Sequence, residues 1–140
     1  MRRSPLEVTG AFVAAINAMD LRALRFLMTD DHVFTDARGV DYTGADKMID
    51  SWQQFFYSYP KYWISIDSNF ASGNRVALFG SAGGKWRVRG TVVPGSWHVT
   101  AAWLAEVDRD KVRRWSIYCD TSWVAPPMQP EYPAPAIVEV

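Results

Sequence analysis

Seven consecutive residues, Asp30-Asp31-His32-Val33-Phe34-Thr35-Asp36, lead a doubled acid through a short alternating stretch to a carboxylate just ahead of the turn glycine Gly39. Side chains of an extended chain alternate between faces, so His32, Phe34 and Asp36 share one face while Val33 and Thr35 take the other. If that face is covered, Asp36 enters an apolar space, where a carboxylate takes up a proton more readily than in water and can serve as a general base. A turn-forming aspartate bonded to backbone amides near Gly39 is the other reading of the same residue. His32 is a candidate proton shuttle on the same face. However, four strand residues place it roughly 13 Å from Asp36, which favours a structural histidine. His98 alternates away from Trp97, Val99, Ala101 and Trp103, as a solvent or interface residue would.

The elements that must hold Asp36 follow from periodicity and punctuation. Pro5 opens a helix in which Leu6, Phe12, Val13, Ile16 and Met19 recur at near-helical spacing. Asp20 caps a second, short helix that ends at Asp30-Asp31, where the strand to Asp36 begins. Residues 38–44 read as a tight turn and a return strand. Residues 45–59 form a third helix carrying Met48, Ile49, Trp52, Phe55 and Phe56, stopped by Pro60. Strands are expected over 62–70, 75–81, 85–93, 97–107 and 112–123, separated by Ser-Gly-Asn, Gly-Gly, Pro-Gly and Asp-Arg-Asp turns. Helices first and an antiparallel meander afterwards make an α+β domain over residues 1–124, followed by a proline-rich tail over 125–140.

Composition narrows the function classes. One domain of 140 residues can bury a core unaided. Fifteen basic and fifteen acidic residues cancel, which leaves no electrostatic footprint for nucleic acid or an anionic membrane. The lone Cys119 forms no internal disulfide, no apolar run suits a signal peptide or membrane span, and a cytoplasmic protein is expected. One cysteine and two distant histidines offer no zinc spacing. Gly80-Ser81-Ala82-Gly83-Gly84-Lys85 lacks the spacing of a phosphate loop, and no serine sits in a nucleophile elbow. Aromatic residues make up 14% of the chain and include seven Trp, more than a small core needs, so some are expected at a cavity or interface.

The order of these elements, with the Asp-Asp-x-x-x-x-Asp spacing of residues 30–36, resembles the nuclear transport factor 2-like superfamily, and most closely its SnoaL-like and ketosteroid isomerase-like branches. The resemblance covers roughly residues 5–123. It implies a cone in which three N-terminal helices pack on a strongly curved antiparallel sheet whose mouth holds a hydrophobic small molecule. The superfamily includes enzymes and non-enzymes; in its isomerase branch the Asp matching Asp36 is the base that moves a proton beside a carbonyl, and an enzyme of that kind is expected here to work without a cofactor or metal. In the isomerase branch a Tyr is expected near Phe12 and a protonated Asp near Trp103 to stabilise the oxyanion. Neither is present, so steroid isomerisation is not expected, and the Trp103 indole N–H is a weaker substitute.

The run Trp115-Ser116-Ile117-Tyr118-Cys119-Asp120 looks like the last strand of SnoaL-like cyclases and limonene epoxide hydrolase-like proteins, which makes Asp120 a second catalytic candidate, as partner acid or orienting group. A strand-end cap or an ion pair with Arg114 or Arg38 is its other reading. The Arg-x-Asp pair of the hydrolases is missing, since Gly80-Ser81-Ala82 stands there. Substrate contacts are expected from Trp52 and Phe56 on the third helix and from Trp63, Trp103 and Tyr118 on the strands, with Phe12 and His32 beside them. Tyr42, Tyr57 and Trp97 complete the aromatic pool, although the spacing of Trp52, Phe55 and Phe56 equally suits plain helix-to-sheet packing. Cyclisation, dehydration, isomerisation and epoxide hydration all remain open. A non-catalytic binder using the same cavity is the alternative, and apolar residues on both faces of 97–105 point to a homodimer.

Overall fold

The computed structural model describes residues 3–127. Each of the first two helices begins where the sequence supplies a partner for its free amides. Ser4 Oγ accepts from the Glu7 N–H at 3.1 Å, the Ser4 N–H donates to Glu7 Oε1 at 3.0 Å, and Pro5 takes the first helical position of α1 (Pro5–Asn17). Asp20 caps α2 (Leu21–Phe26) by accepting from the Ala23 N–H at 3.0 Å. By contrast, α3 (Ala45–Ser58) follows Gly44 without a side-chain cap and depends on its buried stripe of Met48, Trp52 and Phe55.

Strand β1 (Met28–Thr35) lies between α2 and α3, with the short return strand β2 (Asp41–Thr43) beside it. After α3 come β3 (Trp63–Ser72), β4 (Arg75–Gly84), β5 (Arg87–Val88), β6 (Thr91–Val92), β7 (Trp97–Asp108) and β8 (Lys111–Cys119). Six of them form one sheet in the order β2-β1-β8-β7-β4-β3, strongly curved and packed on the helices as an α+β cone. Register shifts in β1, β3 and β8 mark bulges, which bend strands and increase their twist.

Three expectations are corrected. The sheet is mixed, because β8 runs antiparallel to β7 and enters beside β1, where the alternation of directions leaves it parallel. The single strand expected over 85–93 is a separate two-stranded hairpin, β5 with β6, because Arg89 (φ 50°) and Gly90 (φ 81°) both turn left-handed and fold the chain back. The last strand also stops at Cys119, short of the expected Trp123, and residues Ser122–Val124 form a 3-10 turn. Of the expected tail, only residues 125–127 belong to the described residues. None of the helices described is long and apolar enough to cross a membrane.

The core lies between the helices and the concave face. Val8, Phe12 and Ile16 of α1 are fully buried, with Phe12 ring to ring against Trp115 at 4.9 Å. Asn17 fastens the end of α1 to β3 as a strand neighbour would: its Nδ2 donates to the Ile64 carbonyl at 3.0 Å and its Oδ1 accepts from the Ile64 N–H at 2.8 Å. His32 is fully buried, its ring 5.9 Å from that of Phe12. Its Nδ1 bonds to the Val112 carbonyl at 2.7 Å, so the proton sits on Nδ1, and the buried Nε2 has no partner among the described residues. Burial pulls its pKa from 6.5 down to about 4.

Gly80 stands opposite the β3 bulge, where an added Cβ would lie 1.9 Å from the Ser65 carbonyl oxygen. Gly80→Ala is therefore expected to cost about 1–3 kcal/mol or more of stability, read as a lower urea midpoint. For His32, the unfolded chain takes up a proton near pH 6.5 while the folded chain resists until about pH 4. Stability is thus fully present above pH 6.5 and falls by about 3 kcal/mol as pH drops to 4. Urea denaturation across that window should give a flatter pH dependence for His32→Phe than for wild type, whatever the absolute stability of the variant.

Candidate active site in the mouth of the cone

Where β1 ends, the chain turns through residues 36–40. The Asp36 N–H donates to the Val40 carbonyl at 3.0 Å, and Gly39, at φ 85°, donates its N–H to the Asp36 carbonyl at 2.9 Å. The Asp36 side chain completes this turn. Its Oδ1 accepts from the Arg38 and Val40 amides at 2.9 and 3.0 Å, and its Oδ2 accepts from the Tyr42 hydroxyl at 3.2 Å with the Arg38 guanidinium 3.5 Å away. The carboxylate is 12% exposed, and Arg38 beyond it is 54% exposed. The turn that Asp36 builds also forms part of a cavity wall.

That cavity has a volume of about 150 Å³. Phe34 of β1 and Trp103, Trp115 and Ile117 of β7 and β8 supply one side of it. Trp52 and Phe55 of α3 and Tyr62, the residue before β3, supply another. Cys119, Thr121, Trp123 and Val124 close it where the chain leaves the sheet. This last wall is fastened through its backbone: the Trp86 indole donates to the Trp123 carbonyl at 2.7 Å, and the Tyr59 hydroxyl donates to the Val124 carbonyl at 2.8 Å. The Trp123 ring stacks on Trp97, with centroids 4.2 Å apart and planes 16° from parallel. The Cys119 thiol is pushed up by burial and stays protonated at neutral pH. Trp52 and Trp103 each hold a buried indole N–H with no acceptor among the described residues.

Among the expected site residues, Asp36, Trp52 and Trp103 meet at this cavity. The others stand elsewhere. Phe12 and His32 lie in the core behind Trp115, and Phe56 leans on the Trp52 ring at 5.3 Å without joining the lining. Trp63 faces the outside of the sheet, 37% exposed and stacked on His98 at 5.8 Å, and Tyr118 is 57% exposed. Asp120 is exposed and caps the 3-10 turn, its Oδ1 accepting from the Ser122 amide at 2.6 Å, a bond that holds its carboxyl below the usual carboxylate range. Arg114 pairs with Asp41 and Glu106, not with Asp120. The two carboxylates are therefore not brought together in this cavity.

Phe34, Phe55, Tyr62, Trp115 and Trp123 line the cavity without having been singled out. Alternation carries the signal for two of them. Phe34 shares the face of Asp36, and Trp115, Ile117 and Cys119 share the face opposite Tyr118.

Residues 9–115 match the SnoaL-like domain family. No curated protein matches the chain. Among solved structures, it is similar to a protein with a ketosteroid isomerase-like fold from Catenulispora acidiphila in complex with trimethylamine (22% identity, TM-score 0.74, 88% of this chain and 92% of that one). It is also similar to a candidate SnoaL-like polyketide cyclase from Shewanella denitrificans (15% identity, TM-score 0.76, 85% and 92%). IdmH, a candidate polyketide cyclase from Streptomyces antibioticus, is similar over 86% of this chain and 95% of its own, with 17% identity and a TM-score of 0.74. With the family matched over most of its length and the same cone in these structures, the chain belongs to the SnoaL-like family of the nuclear transport factor 2-like superfamily.

Proposed function

We propose that this protein takes a hydrophobic organic molecule into the cone and moves a proton on it with the Asp36 carboxylate, without a cofactor. The observation that carries this reading is a carboxylate, oriented by two amides and a phenol, in the wall of an otherwise mainly aromatic cavity. Occupancy of the same fold by trimethylamine in the Catenulispora protein supports a small organic guest. Isomerisation, cyclisation, dehydration and epoxide hydration are the reaction classes within reach of one such base. Asp120 is left out of this reading, since it lines no part of the cavity and its Oδ1 is engaged by Ser122. A lone cysteine needs no oxidising compartment, which supports a cytoplasmic setting.

One observation favours a second reading, a non-catalytic carrier. Two donors on each Asp36 oxygen occupy the four lone-pair sites of the carboxylate, as in a residue kept for its turn. Asp36→Asn separates the two, because an amide oxygen still accepts from the Arg38 and Val40 N–H groups while the basic oxygen is gone. Wild type and Asp36→Asn would be incubated with enones, epoxides and polyketide-like aromatics, and binding and product followed by mass spectrometry. The expected result is a loss of about 10²–10⁴-fold in product formation with ligand binding retained. Unaltered ligand bound equally by both proteins would establish the carrier.

We also propose a homodimer through the outer sheet face. Phe79, Ala102 and Tyr118 stand in one cross-strand row and Phe70, Ala77 and Leu104 in the next, with Phe70 65% and Phe79 44% exposed. Light scattering at micromolar concentration should give twice the chain mass for wild type and a single chain mass for Phe70→Asp/Phe79→Asp. A monomeric wild type would remove this proposal.

A further inference from the structure

An aromatic ring carries partial negative charge on its faces, so rings gathered round a cavity attract a cation as well as an apolar body, and Trp does so most strongly. The lining of this cavity is built of such rings in several planes. Phe34 and Trp52 meet at 67° and Trp52 and Phe55 at 81°, while Phe55 stands at 88° to Tyr62 and at 81° to Trp123, with centroids 4.7–6.5 Å apart. A guest among them meets π systems from more than one direction. The indole nitrogens of Trp52 and Trp103 are buried without an acceptor among the described residues, so the N–H is not what these two residues offer the cavity. Each leaves that group unmet where its ring is placed, and a guest meets the ring rather than a hydrogen bond.

Charge points the same way. Among the described residues of the lining, the charged ones are Asp36 and Arg38. The Asp36 carboxylate is largely buried and the Arg38 side chain half exposed, so water and salt screen the cation more than the anion. With two donors on each oxygen, the carboxylate has no lone-pair site left to offer. An ordinary ammonium ion brings N–H groups that need acceptors, and burying them unmet is costly. A fully methylated ammonium brings none. Its charge is spread over methyl groups that pack on rings, and it is attracted by the Asp36 charge without a hydrogen bond. Size agrees, because a space of about 150 Å³ has room for a group on the scale of one aromatic ring, as a trimethylammonium group is.

We propose that the cavity is an aromatic cage for a methylated ammonium group carried by the guest, with Asp36 as its counter-charge. This rests on the reading of the cavity as a ligand site, is independent of the proton transfer, and names the group by which a guest is held there.

Choline and its carbon analogue neohexanol share a shape and differ in a quaternary nitrogen against a quaternary carbon, whereas ethanolamine keeps the charge without the methyl groups. Titration calorimetry of wild type with all three therefore isolates charge and methylation and needs no variant. Choline is expected to bind about tenfold more tightly than either of the others. Its N-methyl proton resonance should move upfield on binding, as it does for protons held against ring faces. Asp36→Asn, whose amide oxygen still accepts from the Arg38 and Val40 N–H groups, is expected to lose about tenfold in affinity for choline and to bind neohexanol as wild type does. Neohexanol bound as tightly as choline would overturn the cage and leave the ligand site standing. Ethanolamine bound as tightly as choline would overturn the methylated group in favour of a plain ion pair, and choline bound without the upfield shift would put the cation outside the rings. An unchanged choline affinity in Asp36→Asn would remove Asp36 as the counter-charge. Binding of none of the three by wild type would overturn a ligand site of this size together with the cage.

Discussion

The parallel seam between β1 and β8 is the constraint from which the site follows. It pairs Phe34 with Trp115 and Thr35 with Ser116, and so sets the end of β1, with Asp36 next in the chain, beside the row of β8 side chains that faces the helices. Polar bonds secure it along its length. The Val112 N–H donates to the Leu27 carbonyl, His32 donates to the Val112 carbonyl, and Arg114 reaches Thr35 Oγ1 at 2.7 Å and Asp41 at 3.2 Å. A slip of one residue would turn Phe34 outward and withdraw the carboxylate from the cavity. The buried histidine therefore serves the site from a distance, by fixing the strand that carries Asp36.

The same cone must reconcile a dry aromatic lining with polar groups that chemistry requires. It does so unevenly. Asp36 is saturated with donors from its own turn, whereas the indoles of Trp52 and Trp103 are left without acceptors among the described residues. Leaving a buried donor unmet destabilises a fold by about 1–3 kcal/mol, a cost that core packing alone has no reason to incur twice in one lining. Elsewhere in the molecule buried polar atoms are mostly well served, as with the amide of Asn17 and the indoles of Trp86 and Trp97.

The sequence made the architecture readable because the helices carry their own punctuation. Pro5, Asp20 and Pro60 set boundaries by local chemistry, and the cone with three helices is what the family resemblance implies. The turn of Asp36 and its approach to an apolar space were also readable from alternation. Register was not, since it depends on contacts far apart in the chain. At the start of β3 the choice between Tyr62 and Trp63 is a choice of one residue, yet it puts one ring in the cavity and the other on the outer face stacked on His98. Asp120 shows the same limit, because the turn after Cys119 converts an expected strand residue into a cap. Arg89-Gly90 hid a hairpin, since a left-handed arginine is rarely expected before a glycine supplies the other half of the turn.

The segment that closes the cavity is gripped at the carbonyls of Trp123 and Val124, by Trp86 and Tyr59. A carbonyl is common to every residue type, so the fastening and the wall are chemically independent. The side chain at position 123 can change in size while the strap stays where it is. In descent from a common cone, the volume offered to a guest could thus be retuned by single substitutions at the mouth, without reopening the question of how the chain folds.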